Sequence, residues 1–209
     1  MRILFFTIFV LMGLVSKSQE SKYLESQIKF SPLRLLNYTA PGIELSYEIF
    51  YGKFSTQLSA AYLVDMVHYI KVRPELKGVR FNLEEKYFIK ISQNRKRRFY
   101  CSSEIGYNYV DFVAEERFWM NDIKEDYWAR YNKKSRSIII NAKSGMQLLA
   151  GNFVFDFSGG FGVIFKNVVD SNKPQDEEMI DGVLNGILEI AGKHTFPNVP
   201  ISVKIGYRF

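Results

Sequence analysis

The chain has 209 residues, enough for one domain of ordinary size, and 47% of them are apolar against 24% charged. A mean hydropathy of −0.12 excludes a bundle of membrane helices. The net charge of +6 falls to +4 once Arg2 and Lys17 leave with a predicted leader, too mild a surplus to indicate a nucleic-acid partner.

Residues 1–18 read as a signal peptide. Arg2 supplies the positive start, "ILFFTIFVLMGLV" supplies an apolar core of 13 residues, and Ser16 and Ser18 flank a cleavage point before Gln19. Thirteen residues are too few for a membrane-spanning helix, which needs about 20. No Cys follows the run, so no lipid-anchored N-terminus is expected. Residues 19–209 then form a single domain. Cys101 is the only cysteine, which excludes an internal disulfide.

The mature chain is dominated by alternation of apolar and polar residues, the signature of strands with two unlike faces. Aromatics make up 16% of the sequence, with 18 Phe and 13 Tyr, and such residues suit a pleated surface. The first strand, "QIKFSPLRLLN" (27–37), is irregular, with Pro32 tolerable at a bulge or edge. "GIELSYEIFYG" sets Ile43, Leu45, Tyr47, Ile49 and Tyr51 against Glu44, Ser46 and Glu48. Gly52-Lys53 is a tight turn into "FSTQLSAAYLV", with Phe54, Leu58, Tyr62 and Val64 on the same face. "GVRFNL" opens a fourth strand to about Ile91, and "RFYCSSEIGYNYV" a fifth. "SIIINAKSGMQLL", "NFVFDFSGGFGVIFK" and "PISVKIGYRF" complete a set of eight. Each has about ten residues, the length of a tilted strand crossing a bilayer. The connections alternate as well: 52–53, 92–97 and 150–152 are short, whereas 65–77, 114–135 and 167–199 are long. Short periplasmic turns and long outer loops are the pattern of a membrane barrel.

Alternation alone does not say which face meets water. A soluble barrel holding an apolar ligand would turn its apolar face inward; a membrane barrel turns it outward. Three features favour the membrane: the signal peptide, aromatic residues near strand ends, and full charges of both signs at mid-strand on the polar face. Those charges are Glu44, Glu48, Arg80, Glu104, Lys143, Asp156, Lys166 and Lys204. A narrow eight-stranded barrel fills its interior with side chains, so the charges are expected to pair there. Gly106, Gly145, Gly160 and Gly162 would make room for the longer arms. Glu84-Glu85-Lys86 breaks the alternation and puts Glu85 on the lipid side unless a bulge intervenes. In lipid an unpaired backbone group costs several kcal/mol, so the last strand must pair with the first.

The closing residues, with Tyr207 and Phe209 on the apolar face, resemble the C-terminal signature of bacterial outer-membrane barrels. The architecture is similar to the small OmpA/OmpX-type barrels. The resemblance implies an all-β, antiparallel up-and-down transmembrane barrel in the outer membrane, monomeric, surrounded by lipid. It also implies that the closing segment is read by the barrel-insertion machinery.

Little in the sequence points to catalysis. His68 and His194 both fall in expected outer loops, and their separation argues against a metal site and a cofactor. "NRKRR" (94–98) is a basic periplasmic turn. In the last outer loop Met179, Ile180, Val183, Leu184, Ile187 and Leu188 recur at helical spacing, with acids before and Lys193 after. A short helix there could lid the barrel or dock a protein partner; a β-hairpin extension is the rival. "RFWMNDIKEDYWARY" (117–131), with Trp119 and Trp128, could join that surface. The expected work is structural or recognition through loops 114–135 and 167–199 around a plugged, non-conducting lumen. An accessory subunit of a larger secretion or uptake complex, or a lipid-modifying enzyme, are the alternatives.

Overall fold

The computed structural model describes residues 25–36, 40–65, 75–91, 96–120, 125–172, 178–181 and 190–209. The predicted leader, 1–18, lies outside them. In chain order the elements are β1 (Ser26–Phe30), a helical turn α1 (Pro32–Leu35), β2 (Gly42–Tyr51), β3 (Phe54–Val64), β4 (Lys77–Ile91), β5 (Arg97–Met120), β6 (Glu125–Ala150), β7 (Phe153–Ser171), β8 (Glu178–Asp181), β9 (Gly192–Asn198) and β10 (Ile201–Arg208). Every pairing is antiparallel, and β10 bonds to β1 on one side and β7 on the other. The sheet is therefore a closed eight-stranded barrel. β9 and β10 together make its last strand, interrupted at Val199-Pro200. Closure runs through the expected residues: Tyr207 lies opposite Ile28 and Phe153, and Ile205 opposite Phe30 and Phe155.

The register sends the alternating residues the way a bilayer requires. Ile43, Leu45, Tyr47, Leu58, Tyr62, Phe81, Ile105, Ile138, Ile140, Phe161, Phe165 and Phe209 stand on the exposed outer surface. Lys29, Glu48, Gln57, Glu84, Lys86, Gln147 and Asp156 are buried inside. Tyr51, Phe54 and Tyr87 form a contiguous aromatic row at the turn end, their rings 6.1 and 5.1 Å apart. Glu85 does face outward, with no bulge before it; the register shift comes later, between Phe88 and Lys90. Its carboxylate accepts hydrogen bonds from Tyr51 and from Thr56 Oγ1 at 2.7 Å, at the level of this aromatic row.

On β5 and β6 the polarity of the two faces exchanges part-way along. Beyond Tyr109 and Arg136 the inward residues become Val110, Phe112, Ala114, Phe118 and Tyr131, which pack with Leu63, Leu76 and Ala61 into a dry cluster. The outward residues there become Glu115, Arg117, Arg130 and Lys134, with Glu115 and Arg130 paired at 3.0 Å. One continuous hairpin thus lies in two solvents, hydrocarbon below and water above.

Four expectations need correction. The first strand does not reach 37. It stops at Phe30, because Pro32 starts a helical turn in which its missing N–H is no loss. The loop expected over 114–135 is strand on both sides of 121–124, since Phe112, Ala114, Phe118, Tyr127 and Tyr131 continue the alternation with the opposite sense. The loop expected over 167–199 is shortened by β7 and β9. Met179 and Ile180 are in strand β8, not a helix. β4 pairs with β5 only as far as Asp111, and β8 takes up part of the edge left beyond, at Arg117–Trp119. Val183, Leu184, Ile187, Leu188 and His68 lie outside the described residues.

Small residues on the inner wall make way for large neighbours. A Cβ on Gly145 would meet the Tyr100 ring at 2.4 Å and the Phe157 carbonyl at 2.6 Å; one on Gly106 would meet Asn82 at 2.4 Å. Gly162 gives way to Asn141, whereas Gly160 faces the Ala142 backbone at 2.1 Å. Gly145→Val should therefore lower stability in detergent or lipid by about 1–3 kcal/mol, the ordinary cost of overpacking. Gly52→Ala, at a turn with nothing within 4 Å but φ of +69°, should cost only the left-handed strain, about 1 kcal/mol. Urea unfolding followed by heat-modifiable gel migration measures both; equal losses would contradict the packing account.

Candidate functional site: the lumen

The lumen is built in levels, each assembled from several strands. At the turn end Glu25 reaches across to Arg98 in a bidentate pair, Nη1 and Nη2 at 2.9 and 2.8 Å from its two oxygens. Arg98 is on β5, diametrically opposite β1 in the ring, so this pair bridges the mouth. The Arg98 guanidinium also lies 5.0 Å over the Phe50 ring. Phe50, Phe88 and Tyr100 stack behind it at 5.4 and 5.5 Å, an apolar floor.

The next level is ionic. Lys29 and Lys86 share Glu48 and Asp156; the Lys86 ammonium is 2.7 Å from Asp156 and 3.4 Å from Glu48. Asp156 also accepts from Tyr100 and from Gln147 Nε2 at 3.2 Å. Gln57 accepts from Lys86 at 3.1 Å and donates to Glu84 at 3.2 Å. These groups come from β1, β2, β3, β4, β5, β6 and β7, so almost the whole ring meets at one point. A charge removed from water is tolerable only with its partner and its remaining hydrogen bonds in place, and here each acid holds two cations.

A third level lies above. Lys143 sits between Glu84 at 2.9 Å and Glu104 at 2.8 Å, with Ser102 and Asn141 completing the two carboxylates at 2.7 Å each. Lys204 reaches Glu44 at 3.2 Å and the hydroxyls of Ser46 and Ser59 at 3.1 and 3.2 Å. Arg34, projecting from α1, takes the other Glu44 oxygen at 3.2 Å. Arg80 faces inward at this height.

Of the eight charges picked from the sequence, Glu48 and Asp156 belong to the second level, and Glu44, Glu104, Lys143 and Lys204 to the third. Lys166 stands higher on β7, level with Ser137 and His194. His194 is on β9 rather than in a loop; its ring lies against Phe196 at 5.8 Å and its Nε2 is 2.8 Å from the Ile190 carbonyl. Sequence reasoning missed Lys29, Glu84, Lys86, Tyr100, Gln147, Arg34 and Arg98. Glu84 and Lys86 share the parity of Arg80 on β4, a signal obscured by Glu85 between them.

No protein-family model matches the chain. No curated protein matches it by sequence. Solved structures similar in shape include Neisserial surface protein A (NspA), at 11% identity and a TM-score of 0.44, covering 89% of this chain and 96% of that one; and a major outer membrane protein from Thermus thermophilus, at 12% identity and a TM-score of 0.49, covering 90% and 100%. The barrel itself rests on this chain's own register and inverted polarity.

Two consequences follow for stability. Lys86→Met leaves Glu48 and Asp156 short of a cation in a dry centre and should cost about 3–5 kcal/mol. A Lys86→Met, Asp156→Asn double variant should recover part of that; no recovery would mean the level is not held by charge. Glu25 lies outside the strands. Burial would raise its carboxyl, but the Arg98 guanidinium outweighs this and holds it below the ordinary 4.5, with Gln27 and Arg208 adding to the same side. A depressed folded value contributes stability that is complete above 4.5 and disappears as pH falls through the folded value. Glu25→Gln should flatten that acid limb in urea midpoints taken between about pH 3 and 6.

Proposed function

We propose that this chain is an outer-membrane barrel whose lumen does not conduct solutes and whose work is structural or recognition, carried by the part standing beyond the bilayer. The observation that carries the first half is the second lumen level, where side chains from nearly every strand converge on Glu48 and Asp156. The aromatic floor and the Glu25–Arg98 bridge lie beneath it. A path for hydrated ions would have to break several buried ion pairs at once. The expected setting is the outer membrane, reached by way of a cleaved leader, with lipid around the apolar wall and Tyr207 and Phe209 presenting the closing strand to the insertion machinery.

The β5–β6 hairpin supports the second half. Its inner face is packed with Phe112, Phe118 and Tyr131, so it stands as a rigid blade rather than a loose loop. Its outer face carries Glu115, Arg117, Arg130 and the 68%-exposed Trp128. A large aromatic framed by charges of both signs is the composition of a protein-recognition surface.

Purified barrel reconstituted into planar bilayers should give no stepwise conductance, whereas a Glu48→Ala, Asp156→Ala double variant, if folded by gel migration, should give flickering steps. A steady channel from the unaltered protein ends the non-conducting reading. Trp128→Ala should leave insertion and gel migration unchanged while weakening any partner captured through the blade.

A further inference from the structure

Arg80 stands apart from the paired charges described above. Its neighbours at the same height are Ala61 and, one strand further, Glu44 on one side and Asn108 on the other. Its Nε is buried and has no hydrogen-bond partner, and Asn108 beside it has an unpartnered Oδ1. The nearby carboxylates are already engaged: Glu44 by Arg34 and Lys204, Glu104 by Lys143 and Asn141, Glu84 by Lys143 and Ser102. Among the described residues four cations at this level thus face three carboxylates, so that Glu44 and Glu104 attract Arg80 while already paired elsewhere, whereas two face two at the level beneath. An uncompensated cation out of bulk water costs several kcal/mol, and a fold that retains one needs a counter-charge from somewhere.

Arg34 adds a second donor. It gives only Nε to Glu44, and its two terminal nitrogens take no partner among the described residues. Arg34 and Arg80 are close enough for their charges to repel. Arg80 also keeps partial access to the lumen space, while Glu84 and Lys86 beneath it are buried.

The wall beside this pair is incomplete. β1 ends at Phe30, and among the described residues no strand lies between Gly42–Glu44 of β2 and Ile201–Lys204 of β10. The α1 turn packs against both, and Ser31 ties the seam by donating its N–H to the Glu44 carbonyl at 3.2 Å and its hydroxyl to the Val203 carbonyl at 3.4 Å. Leu33 and Leu36 are exposed on α1 while Arg34 turns inward. An anionic group can therefore meet a guanidinium at the seam with an apolar tail remaining outside.

We propose that Arg80 and Arg34 form a binding site for a phosphoryl group, entered at the α1 seam. A phosphate presents several acceptor oxygens to two guanidiniums whose donors the described residues satisfy only in part. The group can belong to a lipid of the loop-side leaflet or be free phosphate, and two probes tell them apart.

The test uses the full mature barrel folded in dodecyl maltoside and titrated calorimetrically with dodecyl phosphate, inorganic phosphate and dodecanol. The unaltered protein should bind dodecyl phosphate and not dodecanol. Arg80→Gln should weaken that binding at least tenfold, and Arg34→Gln should weaken it less. Because Arg80 makes no ion pair among the described residues and is attracted only at a distance by Glu44 and Glu104, which have nearer cations, Arg80→Gln should keep the folded gel migration and, without phosphate, resist more urea than the unaltered chain. Arg80→Lys, which keeps the charge but loses the forked donors, should fall between. Binding of dodecyl phosphate alone assigns the site to a lipid; equal binding of inorganic phosphate assigns it to the free anion. The site is disproved if neither phosphate binds, or if Arg80→Gln binds as the unaltered chain does.

Discussion

Closure is the constraint from which the rest follows. Hydrocarbon offers backbone groups no partner, so a sheet that enters it must have no edge. The chain satisfies this by bringing β10 between β7 and β1, with Lys204 opposite Asp156, and Gly206 opposite both Val154 and Lys29. Closing eight strands fixes the bore, and a bore that narrow must be filled with side chains rather than water. The alternation that puts Phe, Tyr, Ile and Leu outside then delivers Lys, Glu, Asp and Gln inside, whether or not a channel is wanted. Filling and charge pairing are one requirement: the inner residues are polar because the outer ones are not, and they pair because little water remains to solvate them.

The same logic explains the glycines. Tyr100 on β5 reaches over β6 to Asp156 on β7 because Gly145 between them offers no side chain in its way, and Lys29 extends past Gly206, whose Cβ would stand 2.6 Å from Lys29 Cγ. Long arms on some strands are matched by absent ones on their neighbours. The floor of Phe50, Phe88 and Tyr100 places aromatic rings on the polar face, where alternation alone would put charges. They lie where the lumen meets the turn end, and Arg98 and Lys86 pack their cations against the ring faces.

How much of this could be read from the sequence depends on whether one residue or a whole period carried the signal. Eight strands and their faces were legible because the alternation is repeated over many residues and a single exception hardly alters it. Glu84 and Lys86 were hidden because Glu85 between them is also charged. Its outward position is tolerated at the aromatic row, where Tyr51 and Thr56 supply hydrogen bonds. The blade over 114–120 and 125–135 was hidden for the opposite reason: its alternation persists, but with charges outward, so it reads as a solvated loop unless the change of solvent is allowed for. Residues 178–181 show helical apolar spacing, yet the free edge of β5 offers hydrogen bonds that a local helix would forgo. No local pattern announces an edge left open because β4, far earlier in the chain, begins only at Lys77.

The short first strand shows where local and global demands conflict. Closure asks β1 for about ten paired residues, and Pro32 permits five. The chain answers with a helical turn, whose backbone bonds are partly internal, and with Ser31, which stands in for the missing ladder on both sides. A proline at that position removes strand pairing that the membrane makes expensive to lose, and many other residues would have let the strand continue. Its presence there, close in sequence to an inward-turned Arg34 and level with an Arg80 whose Nε has no hydrogen-bond partner, joins two departures from the barrel pattern at one place. Neither departure is explained by stability, since one gives up strand pairing and the other buries a guanidinium Nε without a partner. Both are explained if that stretch of wall is built to admit an anion.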